Sequence, residues 1–423
     1  MIEAILVSKD YGLKLWDIPS SWNWKIMKEI SIIKSGSTPS TIRPFYWGGE
    51  IAWITPDDLS KLKGKYISKG KRNITKKGYE NCSTQLLPKG AVILSSRAPI
   101  GYVAIASNEL CTNQGCKSFI LNEDVLSEYV YYYLILGKEF AEKLGSGTTF
   151  KEITSKRSEL IPIPIPSTYE EQQLIVSEIE KHFSRLDQSI AALKAVKRKL
   201  AVYRKSVLKT AFEGKLIEFD KNHIAKLQDI INDICSGYAC GKYKISGDGI
   251  IHFRPYNITA QGEMSLERKK IVDPQFSLKR LEYGDVVFNN TNSQELVGKT
   301  CFYDGKEKVG FSNHMTRIQT NLNRIDPNFL SLYLHQLYVK GFYYSVMKNH
   351  VNQSSVGIDI LKNIDVPTPS VDIQNKVVQE IESHFSIIDK IEEVVENSLN
   401  KAQTLRKAIL KQAFEGKLVK VEE

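Results

Sequence analysis

The chain has 423 residues, 42% hydrophobic and 25% charged, which excludes a disordered or membrane-embedded polypeptide and leaves room for two or three domains. Its 58 lysines and arginines exceed its 48 aspartates and glutamates by 10, a surplus that favours an anionic partner, nucleic acid ahead of membrane. No apolar run reaches the roughly 18 residues of a membrane span. The first ten residues carry no signal-peptide pattern, so the expected location is cytoplasmic. Six cysteines, two pairs of them at CxxxxC spacing, make neither a disulfide framework nor a zinc set in so long a chain.

In chain order, the first segment offers Ser35-Gly36 and then a polar, aromatic loop with Thr38, Arg43, Tyr46 and Trp47. GGEIAWITPDDL (Gly48–Leu59) follows. Lys61, Lys63, Lys65, Lys69, Lys71, Arg72, Lys76 and Lys77 then come without an intervening acid. LPKGAVILSS (Leu87–Ser96) leads to Arg97 and Gly101. Glycine turns and fair alternation predict strands at Gly90–Ser95, Tyr102–Ala106 and Lys117–Leu121. Thr112-Asn113-Gln114 precedes the last of these, and Tyr129–Leu136 reads as a helix. A Pro-x-Pro stretch, Pro162–Pro166, is expected to stop structure.

From Glu171 to Ile217 apolar residues recur at Ile175, Ile179, Phe183, Leu186, Ile190, Leu193, Val196, Leu200, Tyr203, Val207 and Ala211. Alternating steps of three and four predict one long coiled-coil helix. Ser167 with Glu170 fits a capping box at its start, and Gly214 fits a glycine stop.

The rest of the chain repeats the first part. RKSVLKTAFEGKL (Arg204–Leu216) returns as RKAILKQAFEGKL (Arg406–Leu418), and EIEKHFSRLD (Glu178–Asp187) as EIESHFSIID (Glu380–Asp389), at an offset of 202. The second seam runs Val377, Ile381, Phe385, Ile388, Ile391, Val395, Ala402, Leu405, Ile409 and Ala413, and Gly416 answers Gly214. Between the helices the features return more weakly but in order. Ser236-Gly237 answers Ser35-Gly36. GDGIIHFRPYNI (Gly247–Ile258) answers GGEIAWITPDDL, and LEYGDVVFNN (Leu281–Asn290) answers LPKGAVILSS. Gly298 answers Gly101, and Ser312-Asn313-His314 answers Thr112-Asn113-Gln114. Strands are expected at Gly284–Asn289 and Thr300–Tyr303, a helix at Phe329–Leu337, and a second Pro-x-Pro exit at Pro367–Pro369.

The fold expected is α+β: two globular, mostly β units joined by two long antiparallel coiled-coil helices, a pseudo-two-fold tandem duplication. Its boundaries are 1–166, 167–217, 218–369 and 370–423. A helix of about 45 residues cannot bury its seam alone, and pairing the two copies is the economical solution.

Motifs for chemistry are missing. The sequence has no GxxxxGK[ST] phosphate loop, no GxGxxG after a strand, no Asp/Asn-Pro-Pro-aromatic tetrapeptide and no HExxH. The seven histidines are scattered, and His182 and His384 are repeat partners suited to helix packing. Glu-x-Lys occurs at Glu213–Lys215, Glu267–Lys269 and Glu415–Lys417, with no partner acid spaced for a nuclease. What remains is a binding surface. Lys63 and Lys65 belong to a run that can neutralise phosphates, although a solvated loop reads the same way. Thr38, Arg43, Tyr46, Trp47, Arg97, Gln114, Arg254, Tyr256, Asn257, Asn290, Asn292 and His314 are the candidate base readers or stacking groups. An amide run such as Asn289–Gln294 is equally what a plain turn looks like.

These features together resemble one family. AFEGKL at Ala211–Leu216 and Ala413–Leu418, Glu171-Gln172-Gln173, WITPDDL at Trp53–Leu59, LPKGAVILSSRAPIGYVAI at Leu87–Ile105 and Thr112-Asn113-Gln114-Gly115 are similar to the specificity (S) subunits of type I restriction–modification systems. The likeness covers essentially the whole chain, twice. Arg254-Pro255-Tyr256-Asn257 departs from ThrProAspAsp, and SerAsnHisMet from ThrAsnGlnGly, which implies a second, different half-site. The resemblance implies two target recognition domains, each reading one half of a bipartite asymmetric site in double-stranded DNA. It implies spacer helices that dock two methyltransferase (M) subunits, with restriction/translocase (R) subunits joining them. The chain itself would be non-catalytic and hold no cofactor, with S-adenosylmethionine, ATP and Mg on the partners. The competing readings are a coiled-coil scaffold whose globular heads bind proteins, and a methyltransferase in its own right.

Overall fold

A computed structural model describes residues 2–97, 99–147, 151–244, 246–273, 279–351 and 353–419. The chain forms two compact units, one of Met1–Ala192 with Ser398–Glu423, the other of Leu193–Asn397. Each unit holds one mostly β head, the first part of one long helix and the last part of the other. The fold is thus α+β and duplicated, as the repeat predicts.

The heads share one plan. In the first, a five-stranded sheet runs in the order Ser31–Ser35, Cys116–Leu121, Val92–Ser95, Val103–Ala106, Tyr66–Ile67. In the second, Ile231–Ser236, Met315–Thr320, Val286–Asn289 and Thr300–Phe302 repeat the first four places. Beside each lies a three-stranded sheet with a parallel pair. Trp53 and Ile54 pair with Cys111 and Thr112, and His252 and Phe253 with Gly310 and Phe311. The parallel pair brings the turn after Ile54 or Phe253 against the turn at Asn113 or Ser312. Gly36 and Gly237 permit the close approach. A Cβ on Gly36 would stand 2.0 Å from the Thr112 carbonyl oxygen, and one on Gly237 2.1 Å from that of Phe311.

Both long helices are 44 residues, Tyr169–Phe212 and Val371–Phe414. Gly214 and Gly416 end them at φ +69°. The last turn of each is buried in a head. In the first unit Phe414 packs 5.0 and 5.2 Å from the rings of Tyr129 and Tyr133 on the helix Ser127–Leu136. In the second unit its repeat partner Phe212 lies 5.2 Å from both Phe329 and Tyr333 on Pro327–Val339. This explains the phenylalanine of AFEGKL: truncating so buried a ring costs about 3–5 kcal/mol. The first turn of each long helix carries a buried amide. Gln172 donates to the Asp124 carbonyl and accepts from the Leu126 N–H. Gln374 donates to the Arg324 carbonyl and accepts from the Asp326 N–H. Both therefore satisfy backbone at the start of the head helix.

Three expectations are corrected. The helix cap is Thr168, whose hydroxyl accepts from Glu171 N–H at 3.1 Å, while Ser167 bonds the Ser21 carbonyl. The Pro-x-Pro exits do not stop structure. Pro162–Ile165 pairs antiparallel with Asn23–Ile26, and Asp365–Pro367 with Ile224–Lys226. Proline is tolerated in these two-stranded edges because one side of each strand needs no ladder N–H. The seam also drifts. Val196, Tyr203, Ile391 and Leu405 are exposed, whereas Arg204, one residue past Tyr203, is 7% exposed. A strict heptad pattern departs from a 3.6-residue helix by about 20° per heptad, so mid-helix positions rotate out of contact.

Candidate nucleic-acid interface

In the first unit the polar surface is built where the loop after Gly36 meets the turn at Asn113. Thr38 donates its hydroxyl to Gln114 Oε1 at 2.6 Å, which leaves the exposed Gln114 amide nitrogen free to donate. Asn113 Oδ1 accepts from Gly115 N–H and shapes the turn. Lys117 pins the turn from below: its Nζ donates to Ser35 Oγ and the Gln114 carbonyl, both at 3.1 Å. Burial holds the ammonium of this 5%-exposed lysine below its usual pKa. Arg97 lies 3.8 Å from Glu152. A Cβ on Gly115 would come within 3.2 Å of Arg97 Nε, so Arg97 and the turn share one surface.

A stack flanks this turn. Arg72 sits 4.4 Å over Trp47 and 5.5 Å from Trp53, and Trp47 donates to the Ser40 carbonyl. Trp53 Nε1–H donates to the Ser37 carbonyl at 3.0 Å. Arg43 is exposed and bonds the Tyr46 hydroxyl at 3.2 Å. In the basic run Lys61 pairs with Asp57, and Lys65 pairs with Glu180 of the long helix. Lys63 is exposed.

In the second unit Arg254, Tyr256, Asn292 and His314 line one cleft of about 570 Å³, with Lys299 and Gln353. Arg254 donates to the Cys240 carbonyl through Nη2, while its Nε and the Tyr256 hydroxyl are buried and unpartnered. Basic groups and aromatic rings interleave beside it. Arg268 lies 4.6 Å over Tyr256, and Lys270 Nζ lies 3.6 Å over Tyr243. The Lys270 ammonium, through a hydrogen bond and its charge, lowers the Tyr243 pKa. Lys299 bonds the Ile258 carbonyl, and burial holds its ammonium below the usual pKa.

Three sequence candidates are spent on the fold. Tyr46 is 5% exposed, with its ring against Phe45 and its hydroxyl taken by Arg43. Asn257 is 1% exposed and makes three bonds: it accepts from Arg254 N–H and donates to the Ser265 and Arg268 carbonyls. It holds the place of Asp58, whose carboxylate accepts from Thr55 and Lys71 N–H. Asn290 is 6% exposed and bonds Asn313, Thr316 and Thr291. The strand register also moves the repeat alignment by one residue. Ser96 N–H bonds the Gly115 carbonyl and Asn290 N–H that of His314, so Asn313, not His314, is the structural counterpart of Gln114. Lys117, Lys299, Tyr243, Arg268 and Lys270 join these surfaces with no motif to mark them in the sequence. Lys117 lies in the apolar strand Cys116–Leu121 and Lys299 just before the strand Thr300–Phe302, where a lone lysine is the readable signal.

Among the described residues no group of three or more His, Cys, Asp or Glu is placed to hold a metal, and no helix is long and apolar enough to cross a membrane.

The geometry defines a duplicated α+β protein in which each unit carries a polar, basic surface beside its parallel strand pair. The type I restriction modification DNA specificity domain matches residues 19–198 and 275–401, and the chain belongs to that family. It is similar to the MjaIX specificity subunit of a type I restriction enzyme from Methanocaldococcus jannaschii, 34% identical over 69% of this chain and 64% of the relative. The StySPI specificity subunit of Salmonella potsdam is 27% identical over 65% of this chain and 61% of the relative. The chain thus spans a little under two thirds of these relatives' length. A structure solved in work on complex assembly and conformational transition of the type I R-M system has the same fold. It matches with a TM-score of 0.75 and 16% identity over 95% of this chain and 100% of the other.

Proposed function

We propose that the chain is the DNA sequence-specificity subunit of a type I restriction–modification enzyme, without catalysis of its own. Each head, within 1–166 and 218–369, reads one half of a bipartite asymmetric site. The helical segments 167–217 and 370–423 set the half-site spacing. The observation that carries this reading is that one scaffold, used twice, presents a different set of polar, basic and aromatic groups in each unit. These are Thr38, Gln114, Arg97, Trp47 and Arg43 in the first unit, and Arg254, Tyr256, Asn292 and His314 in the second. Arg and amide side chains make paired hydrogen bonds to base edges, and Arg254 and Tyr256, whose Nε and hydroxyl are buried without a partner, line the second unit's cleft. Lys63, Arg268 and Lys270 suit phosphates.

The helices expose Val202, Tyr203, Ile387, Ile391 and Val394 in the second unit, an apolar surface suited to a methyltransferase subunit. Two such subunits, and restriction/translocase subunits beyond them, would bring S-adenosylmethionine, ATP and Mg. The place of action is the cytoplasm.

Selection of bound duplexes from a randomised pool by the chain with its methyltransferase tests the reading. Two unlike short motifs at a fixed gap are expected. No enriched motif, or binding indifferent to salt, would favour a scaffold for proteins.

A further inference from the structure

The two heads differ in what covers their two-stranded sheets. In the first unit the helix Ile2–Asp10 lies against both strands, Asn23–Ile26 and Pro162–Ile165, with Ala4 and Val7 buried. Tyr11, just past its end, has the Arg157 guanidinium 6.0 Å from its ring. With this cover Trp24, Ile26, Ile161 and Pro162 are buried. The second unit repeats the sheet. Tyr133 and Tyr333 donate their hydroxyls to the Pro162 and Asp365 carbonyls, and Met27 and Leu227 N–H bond the Ile161 and Ile364 carbonyls. It does not repeat the helix. Gly214–His223, the segment before the strand Ile224–Lys226, contains no helix, and Ile224, whose place in the register is that of Trp24, is 53% exposed. What stands beside this second sheet is a groove of about 670 Å³, lined by Tyr333, Leu337, Phe342, Ile360 and Ile364 and by Asp359.

The helix that covers the first sheet is apolar on its outer side as well. Ile2, Ile5, Leu6 and Lys9 are exposed, and their spacing puts them on one face. Three bare apolar side chains ending in a lysine match a bare apolar groove that bears an aspartate. Lys9 and Asp359 are both exposed and make no ion pair among the described residues. We infer that this face of the helix Ile2–Asp10 seats in the second unit's groove of another copy of the chain, with Lys9 beside Asp359. The groove then receives from a neighbour the kind of helix that the first unit supplies to itself. The contact joins unlike surfaces, so two copies either close on each other through two such contacts or extend as a series. One short helix buries little area, so the association is weak and concentration-dependent. It is independent of what the heads read.

The test is sedimentation velocity of the full chain with its methyltransferase, without DNA, over a wide concentration range. Wild type is expected to pass from a one-chain species to a two-chain or larger one. Leu6→Asp and Ile360→Asp should each weaken that association by about tenfold or more, because each puts a carboxylate into an apolar contact. An equimolar mixture of the two should regain a two-chain species, since the intact helix face of the Ile360→Asp chain meets the intact groove of the Leu6→Asp chain. Ile5→Asp with Phe342→Asp repeats the mixture at two exposed positions, where folding is spared. Wild type that stays at one chain at every concentration, association unaffected by the variants, or no recovery in either mixture would overturn the inference. So would loss of the methyltransferase from the Ile360→Asp chain, which would assign the groove to that partner instead.

Discussion

Trp53 and His252 occupy the same position in the two heads and make the same bond. Trp53 Nε1–H donates to the Ser37 carbonyl at 3.0 Å, and His252 Nε2–H donates to the Tyr238 carbonyl at 3.2 Å. Each ties the parallel strand to the loop that carries a candidate reading surface, so a ring N–H is kept while the rest of the surface diverges. Trp53→Phe keeps most of the apolar ring and removes the bond. It should cost about 1 kcal/mol, whereas Trp53→Ala should cost about 3–5 kcal/mol. Urea unfolding of the purified chain checks both.

The histidine version brings a pH dependence. His252 is pushed down to about 4 by burial and then by the charge of Arg254, and His335 to about 4, mainly by burial. Both are neutral in the fold, while the unfolded residues titrate near 6.5. The unfolded state therefore binds more protons below that pH. Stability is whole above pH 6.5 and is lost as pH falls toward 4. Melting temperature measured across this window should fall more steeply for wild type than for His252→Gln or His335→Gln. Equal slopes would remove the two histidines as the cause.

Arg204 and Arg406 are repeat partners in unequal surroundings. Arg204, its side chain 8% exposed, lies 4.5 Å over Phe385. It pairs with Asp389 and stands 3.6 and 3.9 Å from Glu263 and Glu392. Arg406 has Asp187 and Phe183, with its side chain 36% exposed. Arg204→Met leaves three carboxylates facing one another and should cost about 3 kcal/mol. Arg406→Met should cost at most about 1 kcal/mol. Chemical denaturation of the two variants decides the order.

A heptad inserted into either long helix preserves its apolar face and adds about 10 Å. The account expects a changed gap between half-sites, or loss of assembly. A complex of full activity with an unchanged gap would remove the spacer role.

The repeat made much of this architecture legible. Strands expected at Gly90–Ser95 and Gly284–Asn289 form at Val92–Ser95 and Val286–Asn289, and both long helices end at their glycine stops. The candidate surface is harder to read, because an amide looks the same in sequence whether it reads a base or caps a turn. Asn257 is buried by a three-residue loop-back that only the Asp58 parallel hints at. The one-residue slip at Ser312 follows from strand register, which short matched tripeptides cannot specify.

The most direct measurement is a methylation map: the chain and its methyltransferase expressed in a methylation-free host, followed by direct sequencing of N6-methyladenine. The account predicts a split motif of two unlike short halves at one fixed gap. A continuous or palindromic motif would contradict one head per half-site, and no methylation by a soluble, active partner would contradict the specificity role itself.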